Sequence, residues 1–322
     1  LPISTLALDN TTLQWATGNS QDITAKSVTM AAGTVGFDTN GNDVSLANDI
    51  LGTGALNKLG TGKLTLVNDT SFTGDVTISV GSLQLGNGGL TGLLNGNIIN
   101  NSNLIVNVVD TTPAPIAFNN IISGTGNLSH IAAGTTELIQ ANTFSGTTTI
   151  SAGVLKIGNP LALLNSTVEL SSSSGSGTLS FGTQTSATFG NLAGNGNLAV
   201  VNNDLTPLPV ALTIGGNNTA TNYAGILSGT GSLNKVGSET TTLSGMNTYS
   251  GATTVTGAGS LTIDGAITTA SLAVSLNGIF TVNNNVSKIT GATTLTTNGN
   301  APVTTATIIV NGGELQFQGP IT

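Results

Sequence analysis

The chain has 322 residues, only 6% of them charged, and a formal net charge of −8. An ordinary soluble domain has roughly 25% charged residues, and the six cationic side chains here are all lysines. Nucleic-acid binding and basic membrane-surface helices both need concentrated positive charge, so the composition excludes both classes of partner. No apolar run approaches the roughly 18 residues of a membrane-spanning helix.

Turn and strand formers take the place of charged residues. Glycine alone fills 44 positions, Asn and Ser favour turns and Thr favours strands, whereas the helix formers Glu, Lys and Arg are scarce. Because 38% of the residues are hydrophobic but only 3% aromatic, the core must consist of Leu, Ile and Val. The absence of cysteine favours a secreted chain.

The most informative feature is a repeated sequence block. The clearest copies cover residues 52–86, 124–158 and 229–265, and each opens on Gly-Thr-Gly and contains an Asn-Thr-aromatic-Ser-Gly phrase or a variant of it. Within each block apolar residues alternate with polar ones, which is the period of a β-strand with one face inward. Clusters of Gly, Asn or Thr separate the strands, so the strands are short.

The spacing of equivalent residues predicts stacked coils. The interval from Leu64 to Leu83 in the first block nearly equals the interval from Leu243 to Leu261 in the third. A step of roughly 20 residues with about three short strands is one turn of a parallel β-solenoid, and the chain has room for about 16 such coils. A sandwich or barrel does not need the same turn residues at each recurrence. We predict one continuous all-β solenoid over residues 1–322, with glycine at positive φ at its corners.

Two heptads of the form Asp-x-Thr-Pro-x-Pro-apolar, at 110–116 and 204–210, each precede a repeat block. Proline cannot donate to a strand ladder, so each heptad is predicted to be a loop that leaves the coil. An insertion at 215–223 follows the second heptad. These lateral loops are the predicted partner-contact surface, with the candidate residues Asp110, Pro113, Pro115, Asp204, Pro207, Pro209, Asn217, Asn218 and Tyr223.

The aromatic residues divide into repeat members and outliers. Tyr249 aligns with Phe72 and Phe144 of the other blocks, so it is predicted to pack at a corner. Trp15 is likewise predicted to be structural. Tyr223 has no counterpart, which makes it the aromatic candidate for contact with a partner.

No group of residues indicates catalysis. Paired carboxylates are the minimum for glycoside hydrolysis, but Asp38 and Asp43 frame a turn that they are predicted to cap. Asp69 and Asp75 are predicted to be solvated corner residues. His130 is the only histidine, replaces a lysine of the other blocks, and is predicted to lie on the surface. We predict that the chain is not an enzyme and binds no metal or cofactor.

The stretch GTGSLNKVGSETTTLSGMNTYSGATTV in block 229–265 resembles the passenger-associated strand repeat of bacterial autotransporters, as does block 52–86. Block 124–158 departs from it, with His130 and Ile131 where the repeat has lysine and an apolar residue. The resemblance implies a right-handed parallel β-helix at the surface of a Gram-negative cell or released from it. It also implies export through an outer-membrane barrel that is not part of this chain.

Several functions remain open. We favour a non-enzymatic passenger that acts in adhesion or self-association, with itself, a host surface protein or a glycan as partner. A structural subunit that stacks into an extracellular fibre or surface layer is the first alternative, and a released passenger that binds a host receptor is the second. An enzyme is least favoured, although Asp residues of different coils could converge in one groove.

Overall fold

The computed structural model describes residues 5–109, 115–203, 205–274, 278–283, 286–290, 293–295, 307–311, 314–317 and 321. Within these ranges the chain is all-β, and its helical segment is the short 3-10 turn η1 (Ile23–Ala25). Parallel strands stack into a β-solenoid of about 13 turns, which confirms the predicted fold class. The chain divides into two compact units, residues 1–156 and 157–322, and each is described by itself.

The first unit consists of short strands joined by tight corners. They are β1 (Thr5–Leu8), β2 (Thr12–Gln14), β3 (Ser27–Met30), β4 (Thr34–Asp38), β5 (Val44–Leu46), β6 (Ile50–Gly52), β7 (Ala55–Leu59), β8 (Lys63–Leu66), β9 (Val76–Ile78), β10 (Ser82–Gly89), β11 (Ile98–Asn100), β12 (Asn103–Val108), β13 (Ile116–Phe118), β14 (Ile122–Ser123), β15 (Asn127–His130), β16 (Thr135–Leu138), β17 (Thr147–Ile150) and β18 (Val154–Ile157).

Three successive strands complete one turn of this unit. Strands β3, β4 and β5 follow one another, and β6 then pairs again with β3. One sheet contains β1, β3 and β6, and a second contains β2, β4, β7, β9, β11 and β14. The third contains β5, β8, β10, β12, β15 and β17. The predicted number of about three strands per coil is therefore correct for these turns.

Leucines form a continuous interior column along the third sheet. Leu64 pairs in register with Leu83, as their spacing predicted, and the column continues through Leu104 and Leu128. All four side chains are buried. Because strand side chains alternate between the two faces, every second residue enters this core, which confirms the aliphatic interior expected from the composition.

The second unit repeats the same construction. Its strands are β19 (Leu163–Leu170), β20 (Thr178–Ser180), β21 (Ser186–Gly194), β22 (Leu198–Ala199), β23 (Ala211–Ile214), β24 (Thr221–Tyr223), β25 (Leu227–Ser228), β26 (Ser232–Lys235), β27 (Thr241–Leu243), β28 (Thr253–Val255), β29 (Ser260–Ile263), β30 (Thr268–Thr269), β31 (Leu272–Val274), β32 (Ile279–Asn283), β33 (Val286–Ile289), β34 (Thr293–Leu295), β35 (Thr307–Asn311) and β36 (Glu314–Phe317).

Parallel ladders connect successive turns of the second unit. One ladder runs through β23, β26, β28, β31 and β34, and another through β24, β27, β29, β32 and β35. The long strand β21 bends and pairs with the first strand of each ladder. Strands β22 and β25 form a short pair, and β30, β33 and β36 form a third ladder.

The register corrects two predictions for the second unit. Leu243 pairs with Ile263 and not with Leu261, the partner that the spacing predicted. Because Leu261 and Ile263 lie on the same face of their strand, the error leaves the inward face unchanged. The step between the paired residues Phe280 and Ile308 is longer still. Longer steps of this kind leave about 13 turns where about 16 were predicted.

One corner of the first unit requires glycine because there is no room for a side chain between its stacked turns. A Cβ atom on Gly74 would lie 2.3 Å from the carbonyl oxygen of Gly54, and a Cβ on Gly96 would lie 2.1 Å from the carbonyl oxygen of Gly74. These glycines do not have positive φ, unlike Gly60 and Gly81 at other corners. The prediction that corner glycines supply positive φ is therefore correct at some corners and wrong at this one, where coils stack too closely for a side chain.

The repeat aromatics pack inside the corners. Phe72 and Phe144 of the first unit and Tyr249 of the second are all buried, as predicted. Trp15 is also buried and donates from its indole nitrogen to a main-chain carbonyl at 2.9 Å. Its ring meets that of Phe37 edge-on at 5.8 Å between centroids. These side chains are structural.

Candidate interaction surface

The connection between β22 and β23, residues 201–209, is the clearest candidate for a contact surface. Its base is an antiparallel bridge between Val201 and Pro209. The Asn202 amide donates to the Leu208 carbonyl at 2.9 Å, and the Leu208 amide donates back to the Asn202 side-chain oxygen at 2.8 Å. The Asn202 side chain is itself buried. Buried hydrogen bonds of this kind fix the base of the loop.

Exposed apolar side chains extend from the base to the tip of this loop, which we call the 201–209 loop. Leu205 is fully exposed, and Leu208 is 44% exposed. Pro207 and Pro209 are also exposed. The described residues of the loop carry no charged side chain, and most of those that are exposed are apolar, so burial of apolar surface is the main contribution that they offer to a contact. This arrangement agrees with the prediction that the second heptad leaves the coil.

Only part of the two predicted heptads lies within the described residues. Asp110, Pro113 and Asp204 lie outside them. Pro115 is described and is half-buried, immediately before β13. The contact role of these four residues stays a prediction.

The insertion at 215–223 follows β23, so this strand separates it from the 201–209 loop. Asn217 donates from its side chain to the Thr167 hydroxyl at 2.8 Å. Asn218 adopts a positive φ of 53°, and its side-chain oxygen accepts from the Ser238 amide at 2.8 Å. Both predicted contact residues thus form hydrogen bonds to other turns of the second unit, and a contact role for them stays a prediction.

Tyr223 was predicted to face a partner, and the structure contradicts this. Its side chain is fully buried, and its hydroxyl donates to the Gly196 carbonyl at 2.7 Å. Burial raises the pKa of this phenol, because the charged phenolate would be desolvated. Tyr223 pairs in register with Leu243, a core residue of the next turn. It therefore belongs to the core and presents no surface to a partner.

The basic residue that occupies the same position in each of the three repeat blocks is buried, and the surface position predicted for His130 is wrong. Lys58, His130 and Lys235 all have fully buried side chains. On the inward face of the second sheet, Lys58 lies between Phe37 and Ile78 of the adjacent turns. The sequence contained the signal, since Lys58 has the same strand parity as the inward Leu56. The alternation of inward and outward residues therefore indicated the interior for this position. A surface position was predicted nevertheless, because charged residues are rarely buried.

Main-chain carbonyls accept hydrogen bonds from the buried lysine ammonium groups. Lys58 Nζ donates to the carbonyls of Leu59 at 2.7 Å, Gly60 at 2.8 Å and Val80 at 3.2 Å. Lys235 Nζ donates to Val236 at 2.6 Å. Desolvation lowers the pKa of both lysines from 10.5 to about 8, opposed by nearby acidic residues. Both sites accommodate a cation near neutral pH.

The carboxylates considered for catalysis cap backbone amides instead. Asp38 accepts from the Asn40 amide at 2.8 Å, which confirms that it caps the turn it frames. Asp43 accepts from the Lys63 amide at 2.9 Å, so it caps an amide of the next turn and not of that turn. Corner residues further along the unit do the same for amides of the next turn, namely Asp49, Asp69 and Asp75. Among the described residues, no three His, Cys, Asp or Glu side chains form a group that could hold a metal ion.

The described part of the chain is therefore a β-solenoid. It contains no helix long and apolar enough to cross a membrane. The family model of the passenger-associated-transport-repeat matches residues 56–85, 133–157 and 233–263. The chain thus carries three such repeats, which confirms the resemblance to an autotransporter passenger.

A search of curated proteins finds a relative among autotransporter adhesins. The adhesin BmaC autotransporter of Brucella suis biovar 1 (strain 1330) is 38% identical over 85 residues. These residues make up 26% of this chain and 2% of the adhesin, so the chain corresponds to a small part of that protein's length. No solved structure matches the chain.

Proposed function

We propose that this chain is part of a non-enzymatic autotransporter passenger, located at the surface of a Gram-negative cell or released from it. We further propose that it acts in adhesion or self-association through the 201–209 loop. The observation that carries this proposal is that a loop with a fixed base presents the fully exposed Leu205. The three repeats and the adhesin relative support the placement in a passenger.

The chemistry of the loop favours a partner with an apolar recess. Burying a leucine side chain completely is worth roughly 1.5–3 kcal/mol, and Leu205 and Leu208 would both contribute. The hydrogen bonds between Asn202 and Leu208 hold the loop in place before binding. Less conformational entropy is then lost when a partner binds. A protein surface is favoured over a glycan, because the exposed surface of the described part of the loop is mainly apolar.

A non-enzymatic role is supported by the use of the carboxylates. Asp43 and Asp75, for example, each accept a backbone amide hydrogen bond from the next turn. A carboxylate that terminates a coil in this way is held at a corner. A residue in this role stabilises the backbone, whereas hydrolysis of a glycosidic bond requires two carboxylates directed at a substrate.

The proposal is tested with beads coated with the purified chain. Bead attachment to cultured epithelial cells reports adhesion, and bead clustering without cells reports self-association. The test variant is Leu205→Ser combined with Leu208→Ser, because both residues are exposed and the hydrogen bonds at the base of the loop use only the main chain of Leu208, which the substitution retains. The matched control is Leu90→Ser, which changes a leucine that is 56% exposed in the first unit.

The expected result is a loss of attachment, of clustering or of both for the double variant, with the control unchanged. Loss of attachment alone identifies a host surface partner, and loss of clustering alone identifies a second copy of the chain. Equal binding by the double variant and the wild-type chain, with unchanged circular dichroism, would contradict the role of the loop.

A further inference from the structure

The three repeat blocks place a basic residue at one equivalent interior position, but they surround it differently. The residue is lysine in the first and third blocks and histidine in the second. His130 lies between Val106 and Ile150 of the adjacent turns, just as Lys58 and Lys235 lie between apolar neighbours. The difference in surroundings decides which charge state each position accepts.

The site of Lys58 suits a cation. Three main-chain carbonyl oxygens accept hydrogen bonds from its ammonium group, and a carbonyl can only accept. Asp38 and Asp43 lie near enough to favour the charged form. The positive charge is therefore compensated by dipoles and by two carboxylates, although the side chain is out of contact with water.

The site of His130 suits a neutral imidazole. Its Nδ1 atom lies 3.0 Å from the Ala152 carbonyl oxygen, so Nδ1 must carry the hydrogen. Its Nε2 atom lies 3.1 Å from the Thr136 hydroxyl, which can donate to it. One carbonyl and one hydroxyl satisfy a neutral ring completely. The Thr136 hydroxyl could turn to accept a second N–H, but neither it nor the Ala152 carbonyl carries a negative charge to balance an imidazolium.

No counter-ion faces His130 among the described residues of the first unit. Strands β12 and β17, which flank it, contain no charged residue. Strand β16 contributes Glu137, which alternates with the inward Thr136 and binds Lys156 of β18 at 3.0 Å. A positive charge on the imidazole would therefore be buried without a carboxylate partner, which is costly in a low-dielectric interior.

We propose that His130 makes the second repeat block sensitive to mild acid. Protonation of Nε2 buries an uncompensated charge and forces the Thr136 hydroxyl to change from hydrogen-bond donor to acceptor. The turn that contains His130 then opens, while the blocks that contain Lys58 and Lys235 stay closed.

The direction of the titration supports this inference. Burial lowers the pKa of His130 below its ordinary value of 6.5, with a smaller opposing effect from the Ala152 carbonyl. Between the lowered pKa and 6.5 the unfolded chain binds a proton that the folded chain does not. The stability contributed by the neutral ring is complete above pH 6.5 and is lost as the pH falls through that window.

The first test is a direct titration by NMR. Because the chain has one histidine, its ring signals are unambiguous. We expect them to titrate below the ordinary value of 6.5. A measured pKa at or above that value would overturn the proposal.

The second test compares urea unfolding at about pH 7.5 and about pH 5.0 for the wild-type chain, His130→Gln and His130→Met. For every pH unit by which the pKa of His130 is lowered, the folding equilibrium constant of the wild-type chain falls about tenfold at low pH. Neither glutamine nor methionine titrates, so both variants should lose less stability on acidification. The methionine variant also keeps the test valid if the glutamine variant folds poorly, because the paired neighbours Val106 and Ile150 are apolar.

Hydrogen exchange locates the opening. The Ser151 amide donates to the His130 carbonyl at 2.8 Å, so its protection should fall at low pH after correction for the intrinsic rate. The Ser79 amide, which donates to the Lys58 carbonyl at 3.0 Å, should stay protected. Equal loss of stability in the wild-type chain and both variants, or equal loss of protection at both amides, would overturn the proposal.

Discussion

The ammonium group of Lys58 donates a hydrogen bond of 3.2 Å to the carbonyl of Val80, which lies 22 residues further along in the next turn. The contact joins two coils from inside the solenoid, where a leucine or valine is the usual occupant. It accounts for a lysine in the repeat pattern, because a long aliphatic stem packs in the core while the amine reaches a corner.

The buried lysines should give the protein an unusual pH profile. Their folded pKa of about 8 lies below the ordinary 10.5, so above about pH 8 the unfolded state binds protons that the folded state does not. Stability should therefore rise from about pH 8 to about pH 9.5, as measured by urea unfolding. Above that range the raised pKa values of Tyr223 and Tyr249 act in the opposite direction.

Substitution separates this effect from other titrations. The combination of Lys58→Met and Lys235→Met should abolish the rise, since methionine keeps much of the aliphatic stem and cannot titrate. Lys26→Met is the matched control, because Lys26 is exposed, and the rise should persist in it. A rise of the same size in the double variant would show that other groups cause it.

The stacked corner glycines should not tolerate a methyl group. Gly74→Ala places a Cβ atom 2.3 Å from a carbonyl oxygen of the preceding turn, and overpacking of this kind costs about 1–3 kcal/mol or more. We expect a lower urea midpoint for this variant. Gly89→Ala is the control, because no heavy atom lies within 4 Å of its added Cβ. Equal midpoints for the two variants would mean that the turns are spaced more loosely than described.

Tyr223→Phe should lower stability without changing adhesion. The ring remains, but the Gly196 carbonyl loses the hydroxyl that donates to it at 2.7 Å, and removal of one partner of a buried hydrogen bond costs about 1–3 kcal/mol. Unfolding experiments and the bead assay measure the two properties. Reduced attachment at unchanged stability would restore Tyr223 as a contact residue.

Asn202→Ala should loosen the 201–209 loop while leaving its leucines unchanged. The Leu208 amide loses its side-chain acceptor, so we expect faster hydrogen exchange at that amide and a stability loss of about 1–2 kcal/mol. Bead binding should weaken, because the loop must then be ordered during binding. Undiminished binding with rapid exchange at Leu208 would show that a preformed loop is unnecessary.

The fold could be predicted from the sequence because the alternation of apolar residues and the spacing of the repeats indicate the same structure. Alternation placed Leu64 and Leu83 inward, and their spacing gave the coil step that their register confirms. The same alternation placed Lys58 inward, but the general rarity of buried charge argued against it. Lys58 can be buried because three main-chain carbonyls accept hydrogen bonds from its ammonium group, and only the folded corner brings these carbonyls together.

The candidate surface was harder to predict than the fold. Proline in the second heptad correctly indicated a loop around Pro207, yet nothing in the sequence showed that Asn202 fixes its base. Tyr223 lacks a counterpart in the other blocks, which suggested a special role. Its burial results from the register with Leu243, and register between distant residues cannot be read from composition.

The most direct measurement of the central claim is photo-crosslinking from the tip of the 201–209 loop. A benzophenone amino acid replaces Leu205 in one sample and Leu90 in the other, and the purified chain is irradiated alone and on intact epithelial cells. The account predicts a crosslinked product from position 205, either to a second copy of the chain or to a cell-surface protein, and none from position 90. Products of equal yield from both positions, or none from position 205 while the beads still attach, would contradict the account.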